Sequence, residues 1–288
     1  MTVSTLSGVR WRQIGDDDLP AVAALLSRGF RFRPAARWLR GLQRQAARPR
    51  PDDAPKYGYA LFDGGEAVGA ILMFSSTVDT GRGPAVRCNL SSWYVEPKYR
   101  HFGSLLITSA LRNKDVTYFN VSPGRHTWAI VEAQGFTPYC LGEMVSLPIL
   151  SARTPGAVVE PVSEASPPDG ERDFDLVAAH ARLGCVCVTV RHGGQCYPFV
   201  FQRYRIFKRL LPCLRLIYCR DIADYVRFAG DLGRHLLRHG RALVVADANE
   251  PIAALVGIHT RAYGRKYARG PNVPRLGDLA YSEDVFFY

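Results

Sequence analysis

The sequence predicts a mixed α/β protein made of two units with similar organisation. Three observations predict it. Strand-like and helix-like spacings of apolar residues alternate along most of the chain, a Pro- and Ser-rich stretch interrupts them at residues 151–172, and part of the element order then repeats. We therefore expect mixed sheets with helices on both faces, in units at 1–150 and 173–288 joined by a linker at 151–172.

The first unit shows clear local signals. Residues 9–14 alternate as a short strand, and the aspartates at 16–18 offer carboxylates to the start of a helix over 19–26. We expect these further elements: a helix over 34–47, a hairpin of strands 57–62 and 67–77 turning at Gly64-Gly65, a strand over 86–95, a helix over 103–113, a strand over 116–121, a helix over 127–134 and a strand over 138–147.

The second unit repeats part of this order. Its hairpin turns at Gly193-Gly194, as the first hairpin turns at Gly64-Gly65. The expected elements are a helix over 175–183, the hairpin strands 185–191 and 196–204, a strand over 214–218, a helix over 222–239, and strands over 242–246, 252–258 and 285–288. This repetition indicates an internal duplication.

Composition excludes several classes of protein. The hydrophobic fraction of 47% and charged fraction of 22% are typical of a globular chain and exclude disorder, collagen and coiled coil. No run of 18 apolar residues predicts a membrane-spanning helix, and residues 1–18 lack the apolar core of a secretory signal, so we expect a cytoplasmic protein. The net charge is +11, but only five of the 37 basic side chains are lysines. An arginine bias of this kind can reflect a GC-rich genome, so the charge alone does not indicate a polyanionic partner.

The cysteines and histidines do not predict a metal site. The seven cysteines form no C-x-x-C pair and lie mostly in apolar runs, which favours buried thiols over disulfides or zinc. His235 and His239 lie four residues apart on one predicted helix, without a third ligand at a fixed spacing. We therefore expect no metal cofactor.

A strand–helix corner carries the sharpest chemical signal. A strand ends at Glu96-Pro97, a short basic loop follows, and a helix begins at Gly103. Unpaired N–H groups and the dipole at a helix start favour an anion there, and Lys98 and Arg100 add positive charge. This arrangement suits a pyrophosphate, although a glycine at such a corner also occurs without a ligand.

The same corner resembles a known family. The segment Val95-Glu96-Pro97-x-Tyr99-Arg100-x-x-Gly103 resembles motif A of the GNAT superfamily of acyl-CoA-dependent N-acyltransferases, and 121–136 resembles the motif B strand end, helix and Gly-Phe step. The resemblance covers residues 9–147. It implies a sheet splayed between the fourth and fifth strands with acyl-CoA in the splay, and a second, degenerate copy of the fold over 173–288. The residues that it places against acyl-CoA are Tyr94, Val95, Lys98, Arg100, His101, Phe102, Gly103, Ser104, Leu105 and Asn120.

The sequence also departs from the family. Leu105 replaces the last Gly or Ala of motif A, Val131 replaces the tyrosine that commonly acts as general acid, and the fourth strand lacks the glutamate that many members use as base. Candidates for proton handling near the expected cleft are Tyr118, Ser122, His126, Tyr139 and Glu143. In the second unit, the corner at 219–221 has no glycine and carries Asp221, so we expect no CoA there.

An arginine-rich stretch leaves the partner open. Residues 28–50 hold eight arginines and no acid, with Arg37, Arg40, Arg44 and Arg48 on one predicted helical face. A solvated basic face is the ordinary interpretation, and an anionic small-molecule acceptor, a peripheral membrane contact and, less favoured, nucleic acid are the others. The sequence thus favours an acyltransferase that moves an acyl group, such as acetyl, from acyl-CoA to an amine or similar acceptor. The alternative is a catalytically silent protein of this fold that docks a membrane surface or polyanion through its basic face.

Overall fold

The computed structural model describes residues 8–80, 83–162, 173–206 and 210–287. Residues 163–172 of the predicted linker, and Tyr288 of the predicted last strand, lie outside the described residues. The first half follows the predicted order closely. Its elements are β1 (Val9–Gln13), α1 (Leu19–Gly29), α2 (Ala35–Ala46), β2 (Gly58–Asp63), β3 (Glu66–Asp79), β4 (Pro84–Val95), α3 (Gly103–Ala110), β5 (Thr117–Asn120), α4 (Trp128–Ala133), β6 (Thr137–Cys140) and β7 (Glu143–Ser146).

Two local signals of the first half are confirmed. Gly64 and Gly65 turn the β2–β3 hairpin with φ of 57° and 94°, a region that glycine adopts without steric cost. Helix α3 begins at Gly103, as the corner predicted. In contrast, the single strand expected over 138–147 is wrong, because the chain turns after Cys140 and β6 and β7 join different sheets.

The second half contains most of its predicted elements. They are β8 (Val158–Pro161), α5 (Phe174–Arg182), β9 (Val186–His192), β10 (Gln195–Ile206), β11 (Leu211–Cys219), α6 (Ile222–Arg238), β12 (Val244–Asp247), β13 (Gly257–Thr260), β14 (Lys266–Arg269) and α7 (Glu283–Phe286). Three features differ from expectation: β8 lies inside the predicted linker, the strand expected over 252–258 begins only at Gly257, and the sequence pattern missed β14.

The described strands form two mixed sheets of seven. The first has the order β1-β2-β3-β4-β5-β14-β6 and the second β13-β7-β12-β11-β10-β9-β8. Each sheet contains one parallel pair at its centre, β4 with β5 and β11 with β12. The two sheets thus repeat one strand order, which fits a tandem arrangement of two α/β units.

The sheets exchange one strand each. Strand β14 comes from the second half of the sequence but lies between β5 and β6 of the first sheet. Strand β7 comes from the first half but lies between β12 and β13 of the second sheet. The two sheets therefore do not follow the division of the chain at residues 151–172.

Glycines permit the crossing of the exchanged segments. A Cβ at Gly142 would lie 2.4 Å from the carbonyl oxygen of Thr260. Gly264 has a φ of 82°, and a Cβ there would lie 2.9 Å from the backbone of Gly142. Real Cβ atoms do not approach backbone atoms this closely, so both positions require glycine.

Buried charges join the sheets at the crossing. Lys266 of β14 donates to Asp247 of β12 at 2.7 Å, and both side chains are 1% exposed. Within the second sheet, Arg215 of β11 donates to Glu143 of the exchanged strand β7 at 3.0 Å, and both side chains are buried. Each exchanged strand thus brings a charge to an opposite charge on the second sheet.

The C-terminal segment is wedged between the two halves. The strand predicted over 285–288 is wrong, because residues Glu283–Phe286 form the helical turn α7. The Phe286 ring stacks on Phe74 of β3 at 5.1 Å, and the Phe287 ring packs on Trp38 of α2 at 4.7 Å. The Val-Phe-Phe run favours a strand locally, but burial of its aromatic rings between existing elements overrides that propensity. The core around them includes residues of both halves.

The crossing provides a test of the exchanged topology. We expect Lys266→Met to lower the free energy of unfolding by about 3–5 kcal/mol, because it removes the cation that is hydrogen-bonded to the buried Asp247 carboxylate, and Arg215 at 3.9 Å is too far to replace that hydrogen bond. The exposed Lys114 is the matched control, and Lys114→Met should change stability by less than about 0.5 kcal/mol. Denaturant unfolding of both variants measures the difference. Equal stabilities would show that this ion pair does not hold the crossing.

Candidate active site

Strands β4 and β5 separate after a short parallel contact. They pair only from Arg87–Asn89 to Thr117–Phe119. The register of β4 against β3 shifts opposite Ala70 and Leu72, and Ser92 adopts a φ of 52° there, so β4 turns away. A cleft opens beyond this fork, which we call the β4–β5 cleft. Its lining residues are Ile71, Leu90, Ser91, Trp93, Ile107, Asn120, Val131, Gln134 and Phe136.

Asn89 holds the fork itself. Its fully buried side-chain amide donates to the carbonyl oxygens of Leu90 and Phe119, at 3.2 and 3.1 Å, and so links β4 to β5. The side-chain oxygen of Asn89 accepts from the backbone N–H of Glu283 at 2.8 Å. One asparagine therefore anchors both strands and the C-terminal segment.

The predicted anion corner lies at the end of β4. Residues Pro97–Phe102 form a 3₁₀ turn that leads into α3. Arg28 of α1 donates to Glu96 at 2.7 Å, and the Tyr99 hydroxyl donates to Asp63 at 2.6 Å, so the turn is fixed on both sides. The other side chains of the turn are free to face solvent: Lys98, Arg100, His101 and, at the start of α3, Ser104 are exposed.

Gly103 is not required by the backbone or by packing. Its φ is the ordinary αR value of −57°. A Cβ at this position would lie 3.7 Å from Trp93 and from Val95, an ordinary van der Waals distance. The helix start therefore tolerates a methyl group pointing towards β4. The remaining residues that the resemblance assigned to acyl-CoA lie nearby, with Tyr94 and Val95 at the end of β4 and Phe102 and Leu105 half-buried beside the corner.

The corresponding corner of the second half is closed by its own side chains. Arg220 donates to Asp173 at 2.9 Å and to the carbonyl of Cys196 at 2.8 Å. Asp221 accepts from the backbone N–H of Ala223 at the start of α6. The carboxylate of Asp221 thus takes the place at the helix start where an anionic ligand would bind.

The structure places the predicted proton-handling residues in different surroundings. Ser122 follows β5 at the edge of the β4–β5 cleft, and its hydroxyl donates to Glu283. Tyr118 is buried against α3, and burial raises the pKa of its hydroxyl to about 12. His126 is exposed in a 3₁₀ turn before α4. Among the described contacts, Ser122 is the one of these three whose side chain hydrogen-bonds to Glu283.

The other two candidates lie towards the second sheet. Glu143 accepts a hydrogen bond from Arg215 at the crossing, so its carboxylate is already paired with a cation. Tyr139 is half-buried beside the shared core, and burial followed by the charge of Asp247 raises the pKa of its hydroxyl well above its ordinary value. Neither residue lines the β4–β5 cleft.

The sequence reasoning missed Glu283. Its carboxylate accepts hydrogen bonds from the hydroxyls of Ser91 on β4 and Ser122 after β5, one on each oxygen. Burial, and next the neighbouring charge of Asp284, raise its pKa above the ordinary value. The available signal was a pair of acids inside an otherwise apolar C-terminal stretch, a pattern that indicates a buried carboxylate.

The arginine-rich stretch divides into two parts. Arg37, Arg40 and Arg44 lie on the outer face of α2, as predicted, whereas Arg48 lies beyond the end of the helix and turns inward. Its guanidinium lies 5.3 Å from the ring centres of Tyr281 and Phe286, and burial lowers its pKa to about 10. The predicted four-arginine face is therefore a three-arginine face.

The cysteines, the possible metal ligands and the helix lengths bear on cofactors and membrane contact. All seven cysteines are free thiols, six of them buried and Cys185 partly buried. Within the described residues, no three His, Cys, Asp or Glu side chains come together as a metal site. No described helix has the length and apolar character needed to cross a membrane.

Solved structures identify the fold. The chain is similar over 96% of its length to a GCN5-related N-acetyltransferase from Sphaerobacter thermophilus, covering 100% of that chain at 13% identity with a TM-score of 0.51. It is also similar to a GCN5-related N-acetyltransferase from Anabaena variabilis, at 12% identity over 91% of this chain and 72% of that chain, with a TM-score of 0.57. A GCN5-related N-acetyltransferase from Kribbella flavida is similar at 15% identity over 91% of this chain and 70% of that chain, with a TM-score of 0.56. No protein-family description and no curated protein matches the sequence. The chain has the fold of the GNAT superfamily, and the similarity extends over both halves.

A buried histidine holds the segment that carries Glu283. The Nδ1–H of His180 donates to the carbonyl of Leu176 at 2.7 Å, and its Nε2 accepts from the backbone N–H of Tyr281 at 3.1 Å. Both nitrogens are satisfied in the neutral ring, and burial lowers the pKa to about 4. Protonation at Nε2 would place a hydrogen against the N–H of Tyr281.

This pairing predicts a pH-dependent stability. Below about pH 6.5 the unfolded chain binds a proton at His180 that the folded chain rejects, so stability falls as pH decreases from 6.5 towards 4, by about 1.4 kcal/mol per pH unit. We expect His180→Gln to be less stable at pH 7.5 but to lose less stability between pH 7 and 5 than the original protein. Urea unfolding at several pH values measures both slopes. Parallel slopes would mean that His180 is not the titrating group.

Proposed function

We propose that this chain is an acyl-CoA-dependent N-acyltransferase whose donor binds in the first half. The observation that carries the proposal is the fork between β4 and β5, which opens directly beside the exposed basic corner at the start of α3. The fold supports an acyltransferase in general, because the similar solved structures are named N-acetyltransferases. Acetyl-CoA or a longer acyl-CoA as donor is the more specific part of the proposal.

The residues present suit the parts of acyl-CoA. Lys98 and Arg100 are exposed next to the helix start, where the positive end of the α3 dipole favours the pyrophosphate. The mostly apolar lining of the β4–β5 cleft suits the pantetheine arm, and Ser91 and Asn120 offer polar groups within it. The reacting thioester would then lie near the fork, within reach of an amine that enters from the α1–α2 side.

The second half has a structural role in this proposal. Its corner is closed by Asp221 and by the Arg220–Asp173 ion pair, so a diphosphate would meet a carboxylate at the helix start. What the second half supplies instead is β14, which completes the first sheet, and α7, which reaches the fork.

The acceptor side bears positive charge. The loop between α1 and α2 borders the fork, because the Phe30 ring packs on Tyr94 at 6.1 Å and the charge of Arg33 acts on the pKa of Glu283. Arg31 is exposed in this loop, and Arg37 lies in the first turn of α2. These charges favour an acceptor amine that also carries a carboxylate or phosphate.

The donor site is tested by a pair of substitutions at Gly103. Gly103→Asp should weaken acetyl-CoA binding at least tenfold, about 1.4 kcal/mol, because it adds a negative charge at the helix start. Gly103→Ala is the control, since its methyl group has room against Trp93 and Val95, and should bind within about threefold of the original. Calorimetric titration with acetyl-CoA measures all three proteins. No binding to the original protein, or equal binding to both variants, would refute the assigned site.

The acceptor charge is tested with a panel of primary amines. Arg31→Gln with Arg37→Gln should raise the KM of amines that carry a carboxylate several-fold and leave acetyl-CoA affinity unchanged, because uniform binding is lost. Arg40→Gln with Arg44→Gln is the matched control further along α2. Release of CoA thiol, followed with a thiol reagent, measures the rates. Identical kinetics in the two double variants would remove the anionic acceptor from the proposal, whereas salt-sensitive loss of vesicle binding would indicate surface docking instead.

A further inference from the structure

Glu283 occupies the point where the two strands of the fork part. Ser91 belongs to β4 and Ser122 follows β5, and the hydroxyls of both donate to the carboxylate. Its backbone N–H donates to Asn89, the residue that links the same two strands. Three contacts, two by the carboxylate and one by the backbone, therefore fix Glu283 directly behind Ser91, which lines the β4–β5 cleft.

The Glu283 side chain does not itself line the cleft but lies one hydrogen bond behind it and is 8% exposed. Ser91 lines the cleft, and Ser122 is exposed at its edge. Each carboxylate oxygen has two lone pairs and accepts one hydroxyl here, so each retains a lone pair for an incoming donor. Glu283 is held like a structural group but retains the capacity to accept a proton.

The charged neighbours of Glu283 come from two elements. Asp284 follows it on α7, and its carboxylate lies 3.8 Å from Arg215 on the side of the second sheet. Arg33, from the loop between α1 and α2, is the cation that acts on Glu283. Ser91, Ser122 and Asn89, from the strands that form the fork, are uncharged. Burial and Asp284 outweigh the hydrogen bonds from Ser122 and Ser91 and the charge of Arg33, so Glu283 has a raised pKa and is a stronger base than a free carboxylate.

We propose that Glu283, carried to the first half by the C-terminal segment of the second, is the general base of the acyl transfer. The assignment rests on the function proposed above. The Glu283 carboxylate accepts a proton from the acceptor ammonium. The freed nitrogen lone pair forms the C–N bond at the thioester carbonyl carbon, the C–S bond breaks with its electron pair leaving on sulfur, and sulfur takes a second proton from nitrogen. The products are the amide and CoA thiol, and Glu283 releases its proton to solvent.

The assignment accounts for the missing glutamate of β4. The fourth strand offers only Asn89, Ser91 and Ser92 around the fork, and none of them is a base. Asn89 and Ser91 instead bind the backbone and the carboxylate of Glu283, so this strand positions a base that another part of the chain supplies. Asn89, Ser91 and Ser122 are positioning residues in this arrangement.

Hydrolysis of acetyl-CoA by water tests the base without an identified acceptor. Unlike an amine, water has no ammonium form whose loss of a proton would contribute to the pH profile, so the profile reports groups of the enzyme once the rate in buffer is subtracted. We expect kcat/KM to fall as pH decreases through the raised pKa of Glu283, because the protonated carboxyl group cannot accept a proton. A profile that does not fall towards low pH anywhere in the range where the protein stays folded would overturn the assignment without requiring any variant.

The substitution Glu283→Gln tests the residue itself. It preserves the shape of the side chain, with one of the two serine hydroxyls turning to accept from the new amide, but it removes the basicity. We therefore expect a loss of at least about 100-fold in kcat for water and for the best amine of the panel. Affinity for acetyl-CoA should stay within about twofold. Glu132→Gln is the matched control, since Glu132 is exposed on α4 and accepts only from the Tyr267 hydroxyl, at 2.7 Å, among the described contacts. It should keep the original rate.

The possible outcomes separate the two proposals. Failure of the original protein to bind acetyl-CoA would refute the proposed function. Binding without CoA release to any amine or to water would refute it as well, whereas a Glu283→Gln rate within threefold of the original would refute only the base. Should Glu283→Gln fail to fold in a thermal unfolding control, the pH profile of the original protein decides.

Discussion

The exchange of β7 and β14 is the constraint on which the rest of the structure depends. Neither sheet is complete without a strand from the other half, and the segments that cross do so with glycines at their closest approach. The exchange fixes how the two halves face each other. It also brings the end of the chain back towards the first sheet, where α7 packs between β3 and α2 and reaches the fork. The candidate site is therefore a product of both halves.

The buried charges at the crossing act mainly on specificity. Ion pairs such as Lys266–Asp247 and Arg215–Glu143 give up hydration on both partners, so they add little net stability compared with apolar contacts. These ion pairs instead destabilise alternative strand pairings. A chain that placed β14 in another register, or paired β7 with its own half, would bury a charge without a partner. The penalty for mispairing is then several kcal/mol, a large fraction of the stability of an ordinary domain.

Local signals in the sequence predicted the elements that depend on neighbouring residues. The hairpin turn at Gly64-Gly65 and the start of α3 at Gly103 follow from turn and helix-start chemistry. Strand β14, helix α7 and the role of Glu143 depend on contacts made far along the chain, which periodicity does not report. Ser122 shows the limit most clearly. The sequence placed Ser122 near the cleft. Its carboxylate partner, Glu283, lies 161 residues away, next to a stretch whose local pattern predicts a strand.

Because these contacts join residues far apart in sequence, the order in which the chain is synthesised matters for folding. Strand β5 has an open edge until β14 arrives, and the bond between Asn89 and Glu283 joins residues 194 apart in sequence. As the chain leaves the ribosome, the first half must keep this edge unpaired while almost all of the second half is translated. An unpaired edge is a template for association with other chains, so the nascent protein is most vulnerable to aggregation before residues 266–283 emerge. The fork can form only once these residues have been translated.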